Sequence, residues 1–167
     1  GNHEYYYYNI TEKSGVLEEQ IRGNIFLVNN CVKEISGVNL IFSTLWSNIS
    51  PSRQWLIQES LSDFKVIKYK DRLFNPYDYN MLHQESLAFI KKAKQETANE
   101  KTIVVTHHAP TFINYPEKYA DSKINEAFAS NLDFIIEHNT TDYWIYGHNH
   151  CNVGDFAIKN TKLLTNH

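Results

Sequence analysis

Two histidines with one residue between them, His148 and His150, follow an apolar run, Tyr143 to Tyr146, that stops at Gly147. Upstream, Thr102 to Val105 is another short β-branched run, followed at once by Thr106-His107-His108-Ala109-Pro110. A third polar block, Gly1-Asn2-His3-Glu4, opens the chain. Imidazoles without thiolates suit zinc, manganese, iron or nickel rather than Fe–S clusters or Cu(I). Buried strands that end in histidines predict a metal site at the edge of a sheet, where α/β folds gather ligand groups beyond strand ends. Gly147 is expected to supply the sharp turn that lets His148 and His150 leave a flat strand geometry.

The elements that must hold these residues alternate between strand and helix patterns, which favours an α/β sheet with helices packed outside it. Ile25–Val28, Val32–Ile35 and the run Leu40–Trp46 read as strands, and Val16–Arg22 as one or two helical turns. Ser50-Pro51 signals a helix start, with Trp55, Ile57, Leu61 and Phe64 on its apolar side. Lys65–Pro76 reads as loop, with Val66 and Ile67 as a short strand. Asp78 is the expected cap of a helix on which Leu82, Ser86, Phe89, Ile90 and Ala93 share a face. Phe112–Ser122 is expected to be a lid or substrate-wall loop, and Ile124, Phe128, Leu132 and Ile135 predict a further helix. Gly154–Leu164 alternates as a terminal hairpin turning near Asn160. Tyr5–Tyr8 is expected to wall the first loop.

The three histidine blocks resemble motifs three, four and five of the calcineurin-like metallophosphoesterases, in order and in intervening length. The run ending Thr44-Leu45-Trp46-Ser47 looks like the bacterial stand-alone Ser/Thr-phosphatase-like phosphohydrolase branch. The resemblance implies a four-layer α-β-β-α sandwich and a two-metal phosphoester hydrolase, acting on a monoester, a diester or a nucleotide pyrophosphate bond. It implies that Asn2, His107 and His148 hold one divalent ion (Mn, Fe, Zn or Ni). His150 would ligate a second, and His3 would face the phosphoryl group as a catalytic residue. A metal pair about 3.5–4 Å apart would activate a bridging water. His108 is left open between a substrate-side role and a structural hydrogen bond, and Glu4 is read as structural.

The sequence departs from that pattern in one respect. Asp-x-His and Gly-Asp-x-x-Asp, which supply the bridging carboxylate and most of the second metal's ligands, do not occur; Gly154-Asp155 has Ile158 where the second aspartate would stand. The expectation is therefore one N-terminally incomplete domain over residues 1–167. It would lack one or more strands, expose a sheet edge or core face, and bind metal weakly with little turnover on its own. A non-catalytic scaffold of the same fold is the alternative; five converging Asn and His residues favour the enzyme.

Composition narrows the partners. Hydrophobic residues make up 42% and charged residues 21%, with a net charge of −3 and a pI near 6.2. That balance excludes no soluble class but gives no field for nucleic acid or an anionic membrane. No run approaches the about 20 apolar residues that span a bilayer. Cys31 and Cys151 form no metal-binding spacing, which fits a reducing compartment. A small phosphorylated substrate and a cytoplasmic location are expected, and the oligomeric state stays open.

Overall fold

The computed structural model describes residues 1–167 apart from Ser14, Asn99, Asn139, Thr140, Asn166 and His167. Its centre is a six-stranded mixed sheet in the order β3-β4-β7-β8-β10-β9. In chain order these are β3 (Cys31–Ile35), β4 (Val38–Ser43), β7 (Thr102–Thr106), β8 (Tyr143–Tyr146), β9 (Phe156–Ile158) and β10 (Thr161–Thr165). The central strands β4, β7, β8 and β10 run parallel, and β3 and β9 are antiparallel edges. β1 (Leu17–Arg22) and β2 (Ile25–Asn29) form a separate hairpin. The α/β class, a central sheet with helices packed against it, is the one expected.

Register is what positions the site. Ser43 pairs with Thr106, and Thr106 with Tyr146. The carboxyl ends of three parallel strands thus finish level, and Thr44, His107 and Gly147 leave the sheet at one edge. Backbone bonds continue past the strands: His107 N donates to Ser43 O and Gly147 N to His107 O. One face of the sheet presents Ile41, Val104, Trp144 and Leu163, all fully buried, to Leu87, Ile90 and Ala93 of α3 (Pro76–Glu96) and to Ile136 of α4 (Asp133–His138). The opposite face, with Leu40, Phe42, Ile103, Val105 and Ile145, is only half-buried. A second cluster, built on Trp46, Phe64, Phe74 and Tyr79, lies beneath the site.

Several local expectations are corrected. Val16–Arg22 is not helical; Leu17–Arg22 is a strand whose pairing to β2 overrides the helix preference of its glutamates and glutamine. The helix expected from Ser50-Pro51 begins only at Gln54 and ends at Ser60 (α1), leaving Trp55 exposed; α2 (Asp63–Val66) restarts after Leu61 turns extended. Asn75, not Asp78, caps α3: its side chain accepts from the Tyr77 and Asp78 N–H groups, with Pro76 at the first helical position. Asp78 instead serves as the reciprocal partner in that capping box and pairs with Arg72. The short strand falls at β5 (Lys68–Tyr69), paired to β6 (Arg72–Leu73), rather than at Val66-Ile67. The helix predicted over Ile124–Ile135 is replaced by a 3-10 turn at Asn125–Ala127 and the short α4, because Ala129 bridges to Ala109 and the chain between them stays extended. The terminal hairpin is as expected, with its turn at Lys159-Asn160. Tyr5 is core while Tyr7 and Tyr8 are exposed. No helix among the described residues is long and apolar enough to cross a membrane.

Candidate metal centre

Residues 105 positions apart in the chain meet at the level strand ends. His107 Nε2 lies 2.9 Å from the Asn2 side-chain oxygen and 2.9 Å from His148 Nδ1. Each of the three is held from behind. His107 sits between β4 and β8 through its own backbone. His148 is clamped between the rings of Phe128, at 4.7 Å and nearly parallel, and His108, at 4.2 Å. Phe128 is there because Ala109 N donates to its carbonyl, which ties residues 125–130 to the His107-His108 strand end.

Asn2 is oriented by a residue the sequence reading did not single out. Asp63, 2% exposed at the start of α2, accepts from Asn2 Nδ2 at 2.9 and 3.1 Å and from the Tyr6 hydroxyl at 2.7 Å. A carboxylate can only accept, so it fixes the amide with nitrogen outward and oxygen toward His107. Burial, and next the hydrogen bond to Asp63, keep the Tyr6 phenol well above its ordinary pKa. No local signal marks Asp63 in sequence, since Ser-Asp at a helix start reads as ordinary capping.

The electrostatics keep the imidazoles neutral. Burial, then the nearby terminal ammonium, lowers His107 to about 4. Burial, then the neighbouring His107, lowers His148 to about 2. Neutral imidazole is the form that can ligate a metal. Adjacent donors in an octahedral shell with bonds of about 2.1 Å stand about 3 Å apart, so the observed 2.9 Å spacings are compatible with a shared cation. Among the described residues no group of three or more His, Cys, Asp or Glu is placed to hold a metal; the amide oxygen of Asn2 is what completes a trio. The donor set therefore fits part of one shell, O,N,N and uncharged.

The other expected residues contribute no donor atom to this trio. His3 and His150 are exposed and sit on the wall of a neighbouring cleft that His148 also lines. His108 is fully buried: one ring nitrogen faces Thr44 O at 3.1 Å, the other the Tyr79 hydroxyl at 2.8 Å. Glu4 pairs with the terminal ammonium. His83, which has no motif around it, is 2% exposed, with Nδ1 at 3.0 Å from Leu45 O. The turn expected at Gly147 falls instead on the histidines, whose φ angles are +70° at His148 and +47° at His150. Non-glycine residues in this region are uncommon and cluster where function holds strain.

Gly1 packs against the site so closely that a Cβ there would lie 2.7 Å from three ring atoms of His107. Gly1→Ala is therefore expected to displace the His107 ring. Histidine side-chain ¹⁵N shifts would register this; a His107 resonance unchanged in the variant would contradict it.

A model of the calcineurin-like phosphoesterases matches residues 1–152. The chain is 34% identical to uncharacterised protein L509 of Acanthamoeba polyphaga mimivirus, in an alignment covering 90% of this chain and 59% of that protein. It thus spans about three-fifths of that relative's length. The crystal structure of phosphopantetheinyl hydrolase from Mycobacterium tuberculosis has a similar fold, with a TM-score of 0.53 over 99% of this chain and 66% of that one, at 13% identity.

Proposed function

This chain belongs to the calcineurin-like phosphoesterase family, and from that premise we propose that it forms part of a metal-dependent phosphoester hydrolase. The observation that carries the reading is the convergence of Asn2, His107 and His148 at the level ends of β7 and β8, with His3 and His150 on the adjoining cleft. A bound divalent ion would supply Lewis acidity toward a phosphoryl oxygen and an acidified water. The chain's own residues do the rest. Asp63 and Tyr6 aim the Asn2 oxygen, Phe128 and His108 fix the His148 ring, and His3, on the cleft wall, is assigned the role of stabilising negative charge on the phosphoryl group or protonating the leaving oxygen.

The proposal has a second part. The trio carries no charge, and neutral donors alone offset little of a dication's charge. Among the described residues no group of three or more His, Cys, Asp or Glu that could hold a metal gathers around His150. Full activity is therefore assigned to a longer protein that adds carboxylate ligands around His150. Assaying a fluorogenic phosphodiester with Mn²⁺, using residues 1–167 and a longer form side by side, separates the cases. The longer form should turn over and the 167-residue chain hardly at all; brisk turnover by the short chain refutes the second part. Inactivity of both, with metal bound, favours the scaffold reading.

A further inference from the structure

Beside the trio lies a cleft of about 200 Å³. Its inner end is His148 and Asn149, with His3 and His150 at the sides; the remaining wall is mostly Tyr115, Tyr119, Ile124 and Phe128. None of the described residues lining it is Lys or Arg. The loop carrying the aromatic wall is braced internally: Asn125 Nδ2 donates to Tyr119 O at 2.6 Å, and Tyr119 N to Pro116 O. Two buried side-chain atoms of residues at its inner end, His148 Nε2 and Asn149 Oδ1, have no hydrogen-bond partner among the described residues. Buried polar atoms are nearly always satisfied, and leaving one unmet costs about 1–3 kcal/mol. The exposed imidazoles of His3 and His150 and the aromatic surface of Tyr115, Tyr119 and Phe128 describe a ligand that is polar at its head and apolar behind.

We propose that this cleft is the leaving-group subsite, and that it selects phosphate esters whose organic part is a single uncharged planar ring. The inference rests on the phosphoesterase reading above. Size guides the choice, since a dry cavity of about 150 Å³ accommodates a benzene molecule; a cleft of about 200 Å³ seats one substituted ring against its wall, and anything larger projects into solvent. Charge limits the occupant. With no cation on the wall, a second phosphate on the organic part would be desolvated without a partner, which disfavours nucleoside polyphosphates. Tyr115 and Tyr119 offer ring faces and edges to such a group.

The test uses the 167-residue chain with Mn²⁺ bound, phenylphosphonate and methylphosphonate as non-hydrolysable probes, and titration calorimetry. Phenylphosphonate is expected to bind about tenfold more tightly or better, the effect of burying a ring. Tyr119→Ala should abolish that preference and leave methylphosphonate affinity and the thermal midpoint unchanged. Equal affinity for both probes, or a preference that survives Tyr119→Ala, overturns the subsite while leaving the phosphoesterase reading intact. Binding of neither probe to the metal-loaded, folded chain overturns the subsite, whereas the phosphoesterase reading stands or falls on the side-by-side turnover assay above.

Discussion

Asp63→Leu is expected to bind Mn²⁺ about 10–100-fold more weakly than the unaltered chain, though Asp63 touches no metal ligand atom directed at the ion. The cause is orientation. Without the carboxylate behind it, the Asn2 amide has no reason to keep its oxygen rather than its nitrogen toward His107, and a flipped amide presents donors to a cation. Asp63→Asn should lose less, because its carbonyl still accepts from Asn2 Nδ2 at the 2.9–3.1 Å now observed. The exchange Asn2→Asp with Asp63→Asn is the discriminating variant. It restores a donor–acceptor pair in reverse and places a charged oxygen beside His107, so affinity should return to or exceed the original. Calorimetric Mn²⁺ affinity, with circular dichroism to establish folding, decides it. An Asp63→Leu chain that folds and binds metal normally would show that Asn2 needs no such support.

Mild acid should unfold the metal-free chain. His83, His107, His108 and His148 are all held below the ordinary imidazole value, burial being the leading cause in each case. Their folded-state pKa values are depressed, so the unfolded chain binds more protons as the solution is acidified. The stability is fully present above about pH 6.5 and is lost as pH falls toward the folded values, about 4 for His107. For His107 alone the difference between 6.5 and about 4 is worth roughly 3 kcal/mol. The other three act in the same direction, against a margin of about 5–15 kcal/mol typical of a domain. Urea midpoints at pH 7.5, 6.0 and 5.0 should therefore fall steeply; a midpoint constant across that range would mean that these rings are not buried as neutral groups.

How much of this was legible in the sequence depends on whether the cause was local. The strand ends at His107 and at Gly147 were readable because short β-branched and aromatic runs stop at residues that change the backbone. The sheet edge follows from parallel pairing. By contrast, Leu17–Arg22 contains Glu18, Glu19 and Gln20, good helix formers, and only pairing to β2 makes it a strand. Ile124, Phe128, Leu132 and Ile135 keep helical spacing, but the bridge between Ala109 and Ala129 fixes an extended path. Asp63 and Asn2 are 61 residues apart, and no periodicity carries that contact. Nothing in the helix pattern around His83 announces the Leu45 carbonyl, which reaches it from a loop where both Leu45 and Trp46 have positive φ.

The trio at the strand ends also bears on the order in which the molecule forms. Its donors come from positions 2, 107 and 148, so no short stretch of the chain contains the set, and a folding intermediate that lacks either β7 or β8 cannot present it. A cation that recognises all three is then a ligand of the finished fold and not of its parts. Held at about 100 times its dissociation constant, such an ion would favour the folded chain by about 2.7 kcal/mol. It would act mainly by slowing escape from the native state, because contacts completed late in folding are absent from the barrier.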